Sequence, residues 1–128
     1  MAHLQHLHLK LGLGPHDPWV IKKWLSDSDV HGQFVLPKHD FETFIIPVLP
    51  QVLVENLANG VEVKIHIIEE GHEAADHILT LIIYKGMYVF KGGWSVLARE
   101  KGYKKDDEIG LMWDKWSSRF FLHHITRF

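Results

Sequence analysis

From Val61 to Ile67 every second residue is aliphatic: Val61, Val63, Ile65 and Ile67 are separated by Glu62, Lys64 and His66. Successive side chains of a pleated strand point to opposite faces, so a period of two puts all four aliphatics on one side. Asn59 and Gly60 stand just before this run, and both favour a turn. A strand with one apolar face is not stable alone; it needs neighbours that cover that face and satisfy its backbone. The spacing therefore commits the chain to a sheet, and an antiparallel neighbour is expected.

The rest of the chain supplies short strands rather than long helices. Val20, Ile21 and Trp24 open one strand, and Phe34, Val35 and Leu36 form another beyond the turn-forming cluster Ser26 to Asp29. After the polar connection Glu69 to Asp76 come strands at Ile78 to Tyr84 and Met87 to Phe90, divided by a turn at Lys85 and Gly86. Ile109 to Trp113 and Phe120 to Ile125 close the chain, joined through Asp114 to Ser118. Two brief helices interrupt this order. One starts at Pro37 and shows an apolar face at Phe41, Phe44 and Ile45 before Pro47 ends it; the other carries Trp94, Leu97 and Ala98, with Gly102 placed as its C-terminal cap. Strands that do not alternate regularly with helices argue against a parallel sheet. The expected fold is mainly β with two short helices, a seven-stranded open antiparallel β-barrel.

At 128 residues the chain is expected to hold one domain, over residues 19–128, preceded by an extension over 1–18. In that extension the leucines at 7, 9, 11 and 13 alternate with polar residues and glycine, as in an edge strand or a disordered lead-in. The absence of cysteine removes thiol nucleophiles, disulfides and cysteine-bound zinc, and suits a reducing compartment. Pro47 and Pro50 break the longest apolar stretch, and His3, His6, His8 and Lys10 interrupt the leucines of the N-terminus. No membrane span or signal peptide is expected, and hence a soluble intracellular protein with no membrane partner.

The usual catalytic patterns do not assemble. Among the 11 histidines, His6 and His8 make the one H-x-H pair, His66, His72 and His77 straddle a strand and its loop, and His123 and His124 would face opposite ways. None forms the helical i, i+4 pair with a glutamate base that a zinc hydrolase needs. A cupin-like site would have to enlist Glu55 or Glu62. Gly93, Trp94 and Ser95 have the wrong flank for a nucleophile elbow, and Asp106, Asp107 and Glu108 follow Lys104 and Lys105 as a solvated turn would. The expectation is no enzyme: no catalytic residue, no metal, no cofactor and no small-molecule substrate. Trp94 and Trp113 are expected in the core, with Trp19, Trp24 and Trp116 unassigned. The net charge is −2 with neutral histidines and would reach +9 with all of them protonated, so it discriminates little between partners.

Two segments are more specific. Leu25 to Lys38 reads L-S-D-S-D-V-H-G-Q-F-V-L-P-K, and Lys91 to Ile109 reads K-G-G-W-S-V-L-A-R-E-K-G-Y-K-K-D-D-E-I. In this order and separation they resemble the plant B3 DNA-binding domain, the pseudobarrel module of auxin response factors and other plant transcription factors, over Val20 to Ile125. The resemblance implies a nuclear transcription regulator that grips the major groove of duplex DNA with two loop arms. The first arm would be Ser26 to Lys38, with Ser26, Ser28, His31 and Gln33 as base or phosphate contacts, Gly32 allowing close backbone approach and Lys38 on a phosphate. The second would be Tyr84 to Tyr88, with Lys85 on a phosphate and Tyr84, Met87 and Tyr88 at base edges.

The sequence departs from the family pattern at three points. The second arm is short, Gln33 stands where several relatives have arginine, and Asp106 stands where glycine is usual. Residues 26–39 carry a formal charge of −1, against +5 for residues 85–105. Two rival readings follow: a B3-like barrel without DNA affinity that serves protein interaction or homo- or hetero-dimerisation, and a small cupin-like metalloenzyme.

Overall fold

The computed structural model describes residues 18–69 and 76–126. The extension expected over 1–18 lies, up to residue 17, outside the described residues, as do residues 70–75 of the polar connection. In chain order the elements are β1 (Ile21–Trp24), α1 (Asp27–His31), β2 (Phe34–Val35), α2 (Lys38–Asp40), α3 (Gln51–Glu55), β3 (Val61–Ile68), β4 (Asp76–Tyr84), β5 (Met87–Lys91), α4 (Trp94–Lys101), β6 (Glu108–Asp114) and β7 (Arg119–Thr126). A π turn at Phe41–Ile45 and a 3-10 turn at Ile46–Val48 extend α2, and a 3-10 turn at Leu57–Asn59 follows α3.

Among the described residues the seven strands form one sheet in the order β1-β6-β7-β3-β4-β5-β2. It curls into an open half-barrel whose free edges are β1 and β2. All neighbours are antiparallel except β3 and β7, which pair in parallel with Ile65 opposite Phe120. Nothing in the spacing of either strand marks this pair. Two long antiparallel hairpins, β3–β4 and β6–β7, are joined edge to edge by it.

The alternating strand behaves as its period requires, with Val63, Ile65 and Ile67 buried. They meet Leu79 and Leu81 of β4, Phe90 of β5, Leu111 and Trp113 of β6 and Phe120 and Leu122 of β7 in one core. Aromatic edges pack inside it: Trp113 and Phe90 each meet Phe120 at near-perpendicular ring angles, with centroids 4.9 and 5.3 Å away. Trp94, at the start of α4, is likewise buried, and Gly102 ends that helix in the left-handed conformation. Trp19 is also buried, packed against Gly110, where a Cβ would come to 2.7 Å from the indole. Trp24 and Trp116 are exposed.

Five expectations change. The cluster Ser26 to Asp29 is not an open turn but the capped start of α1. Four α-helical segments are present among the described residues rather than two, because the stretch after Pro50 also turns helical. Phe41 and Ile45 are buried as expected, but Phe44 is 47% exposed; the π turn shifts the angular spacing that would have aligned it with them. His66 sits at a polar position of the alternation and is nevertheless buried, its Nδ1 2.9 Å from Asp76 Oδ1 and its ring against Phe121. Asp107 is completely buried rather than solvated: Oδ2 accepts from the Lys104 backbone N–H at 3.1 Å and lies 2.9 Å from His124 Nε2. Beside it, Asp106 takes a φ of 74°, the left-handed geometry that glycine would adopt without strain.

Candidate nucleic-acid interface

The first arm is a short helix held from beneath. Ser26 caps α1: its hydroxyl accepts from the Asp29 N–H at 3.1 Å, and Asp29 Oδ2 accepts from the Ser26 N–H at 2.8 Å. The carboxylate of Asp29 is buried, and Lys23 of β1 approaches Oδ1 to 2.9 Å. The Lys23 ammonium also donates to the Val35 carbonyl of β2, and the Val35 N–H reaches Asp29 Oδ1 at 3.4 Å. Trp94 completes the anchor by donating its indole N–H to the Asp29 carbonyl at 2.6 Å. Burial pushes the Asp29 carboxyl up, but the Ser26 and Lys23 hydrogen bonds and the Lys23 charge outweigh it, and its pKa falls below the ordinary 3.8.

This network leaves the expected contact residues outward. Ser26, Ser28, His31, Gly32 and Gln33 are all exposed, and Lys38 stands exposed at the start of α2. Ser28 Oγ lies 3.1 Å from Ser26 Oγ, and His31 Nδ1 lies 3.1 Å from the Asp27 carbonyl oxygen. The formal −1 of residues 26–39 overstates the repulsion toward a polyanion, because Lys23, outside that span, neutralises Asp29.

The second arm is the β4–β5 hairpin. Tyr84 pairs with Met87 across a two-residue turn in which Lys85 and Gly86 have φ of 51° and 77°. Positive φ at both central residues is what a type I′ hairpin turn requires, and asparagine or glycine is the usual first residue. A lysine there is conformationally costly. Tyr84, Lys85 and Met87 are exposed, with the Lys85 ammonium 5.3 Å from the Tyr84 ring centroid. Tyr88 departs from its expected place at a base edge. It is buried, its ring 4.5 Å from that of Phe41 and its hydroxyl donating to Glu42 Oε2 at 2.9 Å. Burial, then the Glu42 hydrogen bond and charge, raise its pKa above 10.0. Tyr88 thus fastens the helical link between β2 and β3 to the root of the hairpin.

The two arms share one edge of the sheet. Phe34 and Val35 pair with Phe90 and Val89, and the Leu36 N–H donates to the Tyr88 carbonyl at 2.8 Å. The chain therefore runs from α1 alongside β5 as far as Leu36, two residues before Lys38. Sequence reasoning missed the supporting pair Lys23 and Asp29. The Ser26…Asp29 spacing of a capping box was the available signal for Asp29, whereas Lys23 carries none, since its partner lies across the open seam.

A half-open barrel of this topology with two arms on one edge defines the pseudobarrel class. The family model for the C-terminal domain of B3 domain-containing protein At5g26805 matches residues 19–124. An Arabidopsis thaliana protein named for a B3 domain, At1g51970, is 58% identical over 123 residues, covering 95% of this chain and 98% of its own. B3 domain-containing protein At1g10455 of the same plant is 36% identical over 130 residues, covering 98% and 84%. The chain belongs to the plant B3 domain family. Solved structures agree on the fold: the Arabidopsis FUS3–DNA complex superposes with a TM-score of 0.64 at 18% identity, covering 85% of this chain and 98% of that one. The complex of the A. thaliana transcription factor LEC2 with DNA gives 0.62 at 22% identity, covering 82% and 90%.

Proposed function

We propose that this domain binds duplex DNA through its two arms, as a nuclear transcription regulator without catalysis. The observation that carries this reading is the pairing of β2 with β5, which sets both arms on one sheet edge where a single double helix can meet them. Lys38 and Lys85 neutralise phosphates, while Ser26, Ser28, His31 and Gln33 contact base edges or backbone and Gly32 lets the chain approach closely. Lys85 supports this in a second way: it holds a left-handed turn position that strains a lysine, and strained residues concentrate at functional sites. The solved DNA complexes of structurally similar domains add weight to DNA as the partner.

Fluorescence anisotropy with a labelled random-sequence duplex at two salt concentrations tests the proposal. Affinity should fall steeply as salt rises, because each neutralised phosphate releases counterions. Absence of binding at low salt would leave the protein-interaction reading in its place.

A further inference from the structure

The second arm carries more than charge. Tyr84 and Met87 are directly opposed across β4 and β5, so they project from the same face of the hairpin, and they are 50% and 41% exposed. Their neighbours Ile83 and Tyr88 turn the other way, against the core. Only Lys85 and Gly86 separate the two, so the arm ends in an apolar pair with one ammonium folded over the phenol ring.

Such a tip has few means of reading the donor and acceptor pattern of base edges. It lacks amide and guanidinium groups, and its one ammonium, which could otherwise address a guanine edge, lies over the Tyr84 ring. A two-stranded ribbon does fit the major groove, and the one apolar feature a base pair shows there is the C5-methyl group of a pyrimidine. A thioether is polarisable and unbranched, and adapts well to a small apolar partner.

Resting on the DNA reading above, we propose that the hairpin tip recognises a pyrimidine C5-methyl group in the major groove, with Met87 packed on the methyl and Tyr84 closing its flank. Thymine and 5-methylcytosine both present this group. Lys85 supplies attraction to the backbone and no discrimination between bases.

The test starts from a duplex selected by the protein out of a random library. Each thymine is replaced in turn by deoxyuridine, and each cytosine by 5-methylcytosine, and affinity is read by anisotropy. Removing the contacted methyl should weaken binding about fourfold, the expected worth of one buried methyl group. In Met87→Ala the same replacement should have no effect, whereas Lys85→Ala should weaken thymine and deoxyuridine duplexes equally. Both substitutions are at exposed positions, and circular dichroism would verify the fold. Loss at a deoxyuridine assigns the contact to thymine, and a gain at a 5-methylcytosine assigns it to the methylated base. Tight binding that ignores every methyl change would overturn this proposal and leave DNA binding intact. A library that yields no bound duplex would overturn both.

Discussion

Lys23 on β1 and Asp29 at the root of the first arm form an ion pair of 2.9 Å that bridges the open seam of the barrel. β1 and β2 are the two free edges of the sheet and share no backbone ladder. Lys23 spans the gap by donating both to the Asp29 carboxylate and to the Val35 carbonyl of β2. The seam is thus closed by side chains, and the arm is held by the same bond that closes it.

Lys23→Met keeps the length of the side chain and removes its charge, leaving a buried carboxylate without its cation. The loss should be about 2 kcal/mol, read from urea denaturation at neutral pH, with Lys23→Arg recovering most of it. A variant as stable as the parent would show that the pair is dispensable.

Stability should fall in acid through Asp29 and Asp76. Burial raises both carboxyls, but the Ser26 and Lys23 bonds at Asp29, and His66 with Arg119 at Asp76, outweigh it, so both folded pKa values lie below 3.8. The unfolded chain then binds more protons than the folded one as pH drops. The contribution is present above the unfolded value and is lost as pH falls through the lower, folded pKa. Urea midpoints should therefore drop below about pH 5, and Asp29→Asn should flatten that decline. Equal slopes in parent and variant would remove Asp29 from the account.

On a DNA duplex, Lys38→Ala and Lys85→Ala should each lower affinity uniformly across sequences and reduce the log–log salt slope by about 1. Gln33→Ala and His31→Ala should instead alter sequence preference in selection from a random library. Unchanged affinity in both lysine variants would mean that the arms are misassigned.

Tyr88→Phe removes the hydroxyl that donates to Glu42 but retains the ring on Phe41. The expected cost is about 1 kcal/mol of stability with DNA affinity unchanged, since the side chain is buried. A selective loss of DNA binding at unaltered thermal stability would return Tyr88 to the contact surface.

Much of this molecule is legible where the signal is local. The two-residue turn at Lys85 and Gly86, the glycine cap after Lys101 and the left-handed Asp106 all depend on a few adjacent dihedrals. The alternation of β3 likewise told which residues face the core. The arm residues proposed to contact DNA are exposed, apart from Tyr88, which is buried because the helical link covers one face of β5, and alternation does not reveal that cover.

What the amino-acid order determined by itself is therefore the set of short strands, their inward aliphatic faces and the turns that separate them, because steric limits on neighbouring residues suffice to specify these. Only tertiary structure decided that β3 would lie parallel to β7, that His66, Asp107 and Asp29 would be buried with partners, and that Lys23 would tie one edge strand to the other. Those outcomes depend on which distant segments meet once the sheet has curled, and a charged residue looks the same in sequence whether its partner will be water or a group across the seam.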